Sequence, residues 1–375
     1  KYDDNNIYGI YKDQAYLLDK KQGLGKADNQ SNTSIIYYGG RLLSLMEIGF
    51  PYEINADLST KGVYRFDGTL RSAVTAHPKI HPTTGDLHFF GVSVFSNPHL
   101  QYRVANAQGN ITKRVDINLP EASMQHDFQV TENYVLFLDL PVVFSKFLAI
   151  SGKFPFQWKG GEYNARIGVM PIKGQSKDVR WFEIETCYCF HTLNAFEEAD
   201  GTIVLQLTRL PRIWVTSPYD INEPSSLYEY RIHPTKGVLS EKPMHDQRVD
   251  FGSVNKQYAG KKHKYAYYSI FQSTGSEHTA PPSLRGLLKY DLQGKVLAQH
   301  VYPKHEEAAE FVFQPSTNSM DEDDGYLMAF VYNKVEDVSY LDVFHAQDIG
   351  AGPMGRVELK HRVPAGYHGV FVPKS

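Results

Sequence analysis

The chain holds fifteen histidines, and imidazole is the side chain best suited to metal ligation or proton transfer near neutral pH. Four of them have surroundings that set them apart. His77 lies in Thr75-Ala76-His77-Pro78-Lys79, where the following proline keeps the backbone extended and fixes the direction of the ring. His126 lies in Met124-Gln125-His126-Asp127-Phe128, directly ahead of an alternating apolar run. His191 has the most apolar neighbourhood, Cys187-Tyr188-Cys189-Phe190-His191-Thr192-Leu193-Asn194-Ala195-Phe196. A neutral imidazole buried there needs partners for both ring nitrogens, and a metal ion supplies one. His368 sits in Gly366-Tyr367-His368-Gly369, where small neighbours let another group come close. No HExxH or similar short zinc motif competes with this quartet. On residue type alone two readings stay open: a four-histidine metal site, and four hydrogen-bonded core histidines, the commoner fate of a lone histidine. His81, His88 and His99 follow the first candidate without a pattern of their own, and the others, His263 among them, mostly sit near Lys, Glu, Asp or Arg as loop histidines do.

Ligands so far apart in sequence must be gathered by separate structural units. The chain supplies a β-rich rhythm for this: short apolar runs at 87–94, 134–140 and 203–207 follow the turn pairs Thr84-Gly85, Glu132-Asn133 and Asp200-Gly201. Two more, 264–271 and 326–331, follow a Gly-Lys-Lys turn and Asp324-Gly325, with few helical patterns between them. A propeller, which brings one end of every blade to a common axis, or a multi-sheet sandwich would produce this text. No Gly-, Ser- or Pro-rich linker divides the chain, so residues 1–375 are read as one domain. Hydrophobic residues at 42% and charged residues at 22% exclude a largely disordered protein. A net charge of -3 and a pI near 6.6 offer no basic field for nucleic acid. The two cysteines, Cys187 and Cys189, are too close for an ordinary structural disulfide, which suits a reducing compartment. No apolar run is long enough to span a bilayer and the opening residues lack a signal-peptide layout, so the expectation is a cytoplasmic protein.

The segments around the four histidines, taken in order, resemble the carotenoid cleavage oxygenase family, which includes apocarotenoid-, stilbene- and retinoid-processing enzymes. The matching pieces are Ala76-His77-Pro78-Lys79, Gln125-His126-Asp127-Phe128, Phe190-His191 with Asn194-Ala195 and Glu197-Glu198, and Gly366-Tyr367-His368-Gly369. Flanking text agrees, as in Thr84-Gly85-Asp86-Leu87-His88, Leu138-Asp139-Leu140-Pro141 and Gly168-Val169-Met170-Pro171, and the likeness runs from about Asn32 to about Pro373. The resemblance implies an all-β, seven-bladed propeller with Fe(II) on its axis, held by His77, His126, His191 and His368. It also implies a helical and loop cap over the metal face. The family's early Arg-Asn-Gly-Pro and Gly-Asp-Gly-Met stretches are missing, which predicts an incomplete first blade and an absent N-terminal segment.

Further residue roles follow from the same resemblance. Glu47 and Glu310 stand where acids accept the second N–H of ligand histidines, serving His126 and His368. The third acid is Asp250 where the family has glutamate, and one methylene fewer predicts a longer or water-bridged bond to His191. Thr33 resembles a threonine that overhangs a vacant coordination position. An all-histidine site with open positions suits O2 chemistry beside an uncharged alkene, so the implied reaction is dioxygenase cleavage of a C=C bond into two carbonyl products. Met46, Phe137, Phe190 and Tyr367 are the candidate substrate contacts. Stilbene-cleaving members carry lysine at the position of Met46, and an uncharged thioether there favours an apolar polyene or apocarotenoid over a phenolic stilbene. The run 144–156, with Phe147, Leu148 and Phe154 beside lysines, predicts peripheral membrane contact at a tunnel mouth. The rival readings are cleavage of phenolic stilbenes or phenylpropenes, retinoid-type isomerisation, and a non-catalytic propeller that binds proteins.

Overall fold

The strand signals come in sets, and each set builds one antiparallel meander. The computed structural model describes residues 31–215, 225–272 and 283–372, and among them are six sheets of four or five strands. The first consists of Ser34–Tyr38, Arg41–Leu45, Tyr52–Ile54 and Thr60–Val63. Lys79–Ile80, Leu87–Val92, Leu100–Ala105 and Ile111–Ile117 form the second. The third pairs Phe128–Val130, Tyr134–Asp139, Arg166–Pro171 and Arg180–Glu183. Between its second and third strands a two-stranded ribbon, Val142–Phe144 with Phe156–Trp158, carries the short helix α1, Lys146–Ile150, capped by the Ser145 side chain. Thr192–Glu197, Ile203–Arg209, Ser226–His233 and Gly237–Pro243 form the fourth sheet; Val249–Ser253, Tyr265–Gln272, Ser283–Asp291 and Val296–Val301 form the fifth. In the sixth, Gly325–Asn333, Val338–His345 and Gly355–Glu358 follow a first strand broken into Glu306–Ala308 and Val312–Pro315.

Each apolar run read from the sequence is a central strand of one of these blades. In the second to fifth blades such a strand has a neighbour on either edge and a blade on either face, so it is apolar almost throughout. Period-2 alternation then decides which neighbour each side chain meets. Phe89 packs toward the first blade and Phe90 toward the third; Phe137 faces the second blade and Leu136 the fourth; Tyr268 faces the fourth and Tyr267 the sixth. Five apolar clusters therefore join six blades in series. None among the described residues joins the sixth blade back to the first, and Tyr326, Met328 and Val343 on the sixth blade's other face line an apolar groove with Met354 and Phe371.

One expectation is corrected here. The first blade is a full four-stranded sheet, so no strands are missing from it. Among the described residues are six blades, which leaves the expected count of seven unconfirmed. The architecture is an all-β propeller with very little helix. Besides α1 there are only the 3-10 turns Ser176–Asp178, Lys256–Tyr258 and Ile349–Ala351 among the described residues, so no helical cap is formed by them. No helix there is long and apolar enough to cross a membrane.

Candidate metal centre

The residues nominated by the sequence arrive from all six blades. His77, His126 and His191 lie one or two residues ahead of the first strands of the second, third and fourth blades. Asp250 is on the first strand of the fifth, Glu310 lies in the break of the sixth blade's first strand, and Glu47 follows Arg41–Leu45 of the first. His368 comes from the tail beyond the last strand. The ligand atoms of His77, His126, His191 and His368 lie within 4.8 Å of one another, and the four rings are all partly buried.

His126 Nε2 is 3.1 Å from His77 Nε2 and 3.3 Å from His191 Nε2. Metal–nitrogen bonds of about 2.1 Å at right angles would place neighbouring nitrogens ~3.0 Å apart, so these spacings fit ligands around one ion. Three outward nitrogens meet carboxylates: His191 Nδ1 is 3.0 Å from Asp250 Oδ1 and His368 Nδ1 3.2 Å from Glu310 Oε1. His126 Nδ1 lies 3.0 Å from Glu47 Oε1, close enough for strong attraction though poorly aligned for a hydrogen bond. With their protons drawn to Nδ1 by these acids, the inward nitrogens of His126, His191 and His368 present lone pairs to one another. A cation bound between them would relieve that arrangement, and the three carboxylates behind the rings suit a divalent one.

Electrostatics prepare the ligands. Burial holds the His77 pKa well below its ordinary value, reinforced by the other imidazoles, so that ring is neutral and ready to ligate. Burial also lowers His191, only partly countered by Asp250. Burial by itself would lower His368, but Glu310 outweighs it and leaves that pKa raised. Glu47 and Asp250 stay below the usual carboxylate range because His126 and His191 respectively overcome the opposing effect of burial.

Over residues 3–373 the chain matches the family described as retinal pigment epithelial membrane protein. It is 36% identical to the carotenoid 9,10(9',10')-cleavage dioxygenase 1 of Pisum sativum, covering 96% of this chain and 69% of that one. With a carotenoid cleavage oxygenase of Mycobacterium tuberculosis it shares 30% identity over 94% of this chain and 78% of the other. The chain belongs to the carotenoid cleavage oxygenase family. Among solved structures of similar proteins, the lignostilbene dioxygenase of Pseudomonas brassicacearum matches with a TM-score of 0.84 at 26% identity, over 93% of this chain and 77% of that one. A cobalt-substituted apocarotenoid oxygenase of Synechocystis matches with a TM-score of 0.82 at 25% identity, over 96% and 82%.

Other nominated residues of this family member fall into two groups. Phe190 lies beside the centre, its ring centroid 5.4 Å from that of His126, and Thr33 reaches it through Glu47, with its hydroxyl 3.4 Å from Oε2. Met46 bridges to Val74 just ahead of Glu47, and Tyr367 is 43% exposed beside His368. Phe137 does not belong to the site: it is fully buried between the second and third blades, stacked with Phe128. Phe154 is not a free surface anchor either, since its half-buried ring packs on Trp214 at 4.6 Å. Phe147, by contrast, is 76% exposed and Ile150 83%, with Leu148 half-buried between them.

The expected long or water-bridged bond from Asp250 is also wrong. The strand register jumps between Asp250 and Ser253, and Phe251 takes a left-handed backbone with φ 53°. That irregularity brings the shorter acid into direct contact with His191. The same backbone turn places the Phe251 ring 4.9 Å from His191 and 5.2 Å from His368, a neighbour of the centre that sequence reasoning passed over although it follows the nominated acid. His263, read as a loop histidine, is buried, with the Asn194 amide nitrogen 3.0 Å from its Nδ1.

Proposed function

We propose that this protein is an iron(II)-dependent dioxygenase that splits a C=C bond of an apocarotenoid or similar conjugated apolar alkene into two carbonyl products, one oxygen atom of O2 entering each. The observation that carries this reading is the set of four converging imidazoles backed by three carboxylates. Iron(II) bound there supplies the redox chemistry that lets O2 react with an alkene. The residues of the chain do the rest. Glu47, Asp250 and Glu310 keep the ligand protons on the outward nitrogens, while the rings of Phe190 and Phe251 crowd the centre and exclude water from it. Thr33, on Glu47, limits what approaches the vacant side.

Beyond Phe190 an aromatic wall continues through Trp214 at 5.9 Å, Phe154 at 4.6 Å from Trp214, and Phe156. We assign it as the path of an extended apolar substrate. It leads toward the ribbon bearing α1, where exposed Phe147 and Ile150 beside Lys153 suit the headgroup boundary of a bilayer. Replacing both Phe147 and Ile150 by Asp is expected to cut partitioning onto liposomes by about tenfold or more, given the apolar burial lost. Equal co-sedimentation of wild type and variant would assign the patch to something other than membrane. The bare apolar face of the sixth blade is likewise read as the seat of a seventh blade completing the ring.

The similarity to the lignostilbene dioxygenase keeps a second substrate class in view. The test is a competition assay at matched iron loading between a retinal-type apocarotenal and resveratrol, followed through aldehyde formation. The apocarotenal should be cleaved faster, and Met46→Lys should shift the ratio toward the stilbene by about tenfold, as a new polar contact in a pocket does. Faster cleavage of resveratrol by wild type would overturn the substrate assignment, and no carbonyl product from either with iron fully bound would overturn the activity.

A further inference from the structure

One carboxylate outside the set described so far touches all three histidine-bearing blades in a row. Asp127 follows His126, is 3% exposed and receives four donors. Its Oδ1 takes Lys79 Nζ at 2.7 Å and the Phe128 amide at 2.8 Å. Its Oδ2 takes the Thr192 amide at 2.8 Å and the Thr192 hydroxyl at 2.7 Å. Lys79 lies two residues beyond His77, and Thr192 is the residue after His191.

The contacts of Asp127 thus fasten the strand starts of the second, third and fourth blades at the point where each has just delivered its imidazole. Three further bonds reinforce the link. The Thr75 hydroxyl donates to His126 O at 3.0 Å and accepts from the His77 amide at 3.1 Å, and Gln129 Nε2 donates to the Thr192 hydroxyl at 2.9 Å. A buried carboxylate with a single lysine and three hydrogen-bond donors resists distortion, because moving any strand start leaves a charge or a polar group unpaired.

We infer that Asp127, with Lys79 as its counter-ion, is a positioning residue that fixes the separations of His77, His126 and His191 and thereby the geometry of the metal centre. It touches no ligand ring; it acts through the backbone of the three segments. The inference rests on the metal reading above, and the experiment separates the two. Cobalt(II) is titrated into metal-free protein, with affinity read by chelator competition and geometry by the visible d–d absorption. Wild-type protein that binds no cobalt would sink the metal reading itself.

With wild type binding, Asp127→Asn keeps the shape but loses the charge and at least one acceptor. It should weaken cobalt affinity by about tenfold or more and shift the d–d bands. Thr192→Val removes one donor while leaving the amide in place, should show a smaller shift in the same direction, and carries the test if Asp127→Asn does not fold. Lys79→Met combined with Asp127→Asn should cost no more affinity than Asp127→Asn alone, since the two act as a pair. Affinity within twofold of wild type with unchanged bands in Asp127→Asn, or in Thr192→Val if it stands alone, overturns the inference, even if the metal-free protein melts earlier. Additive losses in the double variant overturn the part assigned to Lys79.

Discussion

His191→Ala is expected to leave the protein with only a small fraction of the wild-type metal in elemental analysis, and with no detectable alkene cleavage. The imidazole is one of the four clustered rings, 3.3 Å from His126 Nε2 and with its ring centroid 4.8 Å from that of His368. Its loss removes one of four ligands and also strands Asp250, whose carboxyl burial would push up in pKa and which His191 holds down. With that partner gone Asp250 takes up a proton more readily, so the site loses a ligand and part of its compensating charge together. The affinity loss should exceed the ~100-fold that changes to outer partners reach. Full retention of metal by His191→Ala would show that the ion sits elsewhere.

Asp250 gives the second large effect. Its Oδ1 collects His191 Nδ1 at 3.0 Å, the Thr208 hydroxyl at 2.8 Å and the Phe251 amide at 2.8 Å, in a site where the residue is 5% exposed. Asp250→Ala leaves those donors without an acceptor, each buried loss being about 1–3 kcal/mol. The expected fall in metal affinity by chelator competition is about 10- to 100-fold. Asp250→Glu supplies the residue that the resemblance led one to expect, yet it should also lower affinity, by less than alanine does, because the backbone has already closed the gap that the extra methylene would fill. Unchanged affinity in Asp250→Ala would remove this acid from the centre. A gain in Asp250→Glu would mean that the bulge at Asp250 does not compensate for the shorter side chain.

The four histidines stood out through their neighbours, a proline after His77, a strand after His126 and small residues around His368, but their role as one ligand set, and the three acids behind them, were legible only through the resemblance of the ordered segments to a family. The strands were legible through period-2 runs bounded by turns, as at Thr84-Gly85, where the glycine has φ 70°. What failed has a common cause, the burial of blades on both faces. Phe137 and Phe190 look alike in sequence, and parity along a strand says which neighbouring blade a side chain meets, not whether a cavity lies there. Phe154 was drawn into a partnership with Trp214, sixty residues away in sequence, that no local pattern records. The bond from Asp250 depends on one left-handed residue, Phe251, which nothing in its type announces. The Lys79, Asp127 and Thr192 contacts had a signal that went unused, since each residue follows a histidine by one or two positions.

Three of the imidazoles are rooted ahead of paired strands, whereas His368 belongs to the stretch after Gly355–Glu358, which forms no further strand among the described residues. That stretch is moored at Ser339 through the amides of Leu359 and Val363, and at Glu310 through His368 and the Gly369 amide at 2.9 Å. Opening the centre at His368 would therefore require no blade to unravel: it would break the two bonds at Glu310 and the ring contacts with His77, His191 and Phe251, leaving three histidines in place. Capacity and traffic are governed by different parts of the molecule. On the metal reading, all four ligands would set how tightly an ion is held, while the speed with which a chelator strips it would follow local detachment of the stretch after Gly355–Glu358.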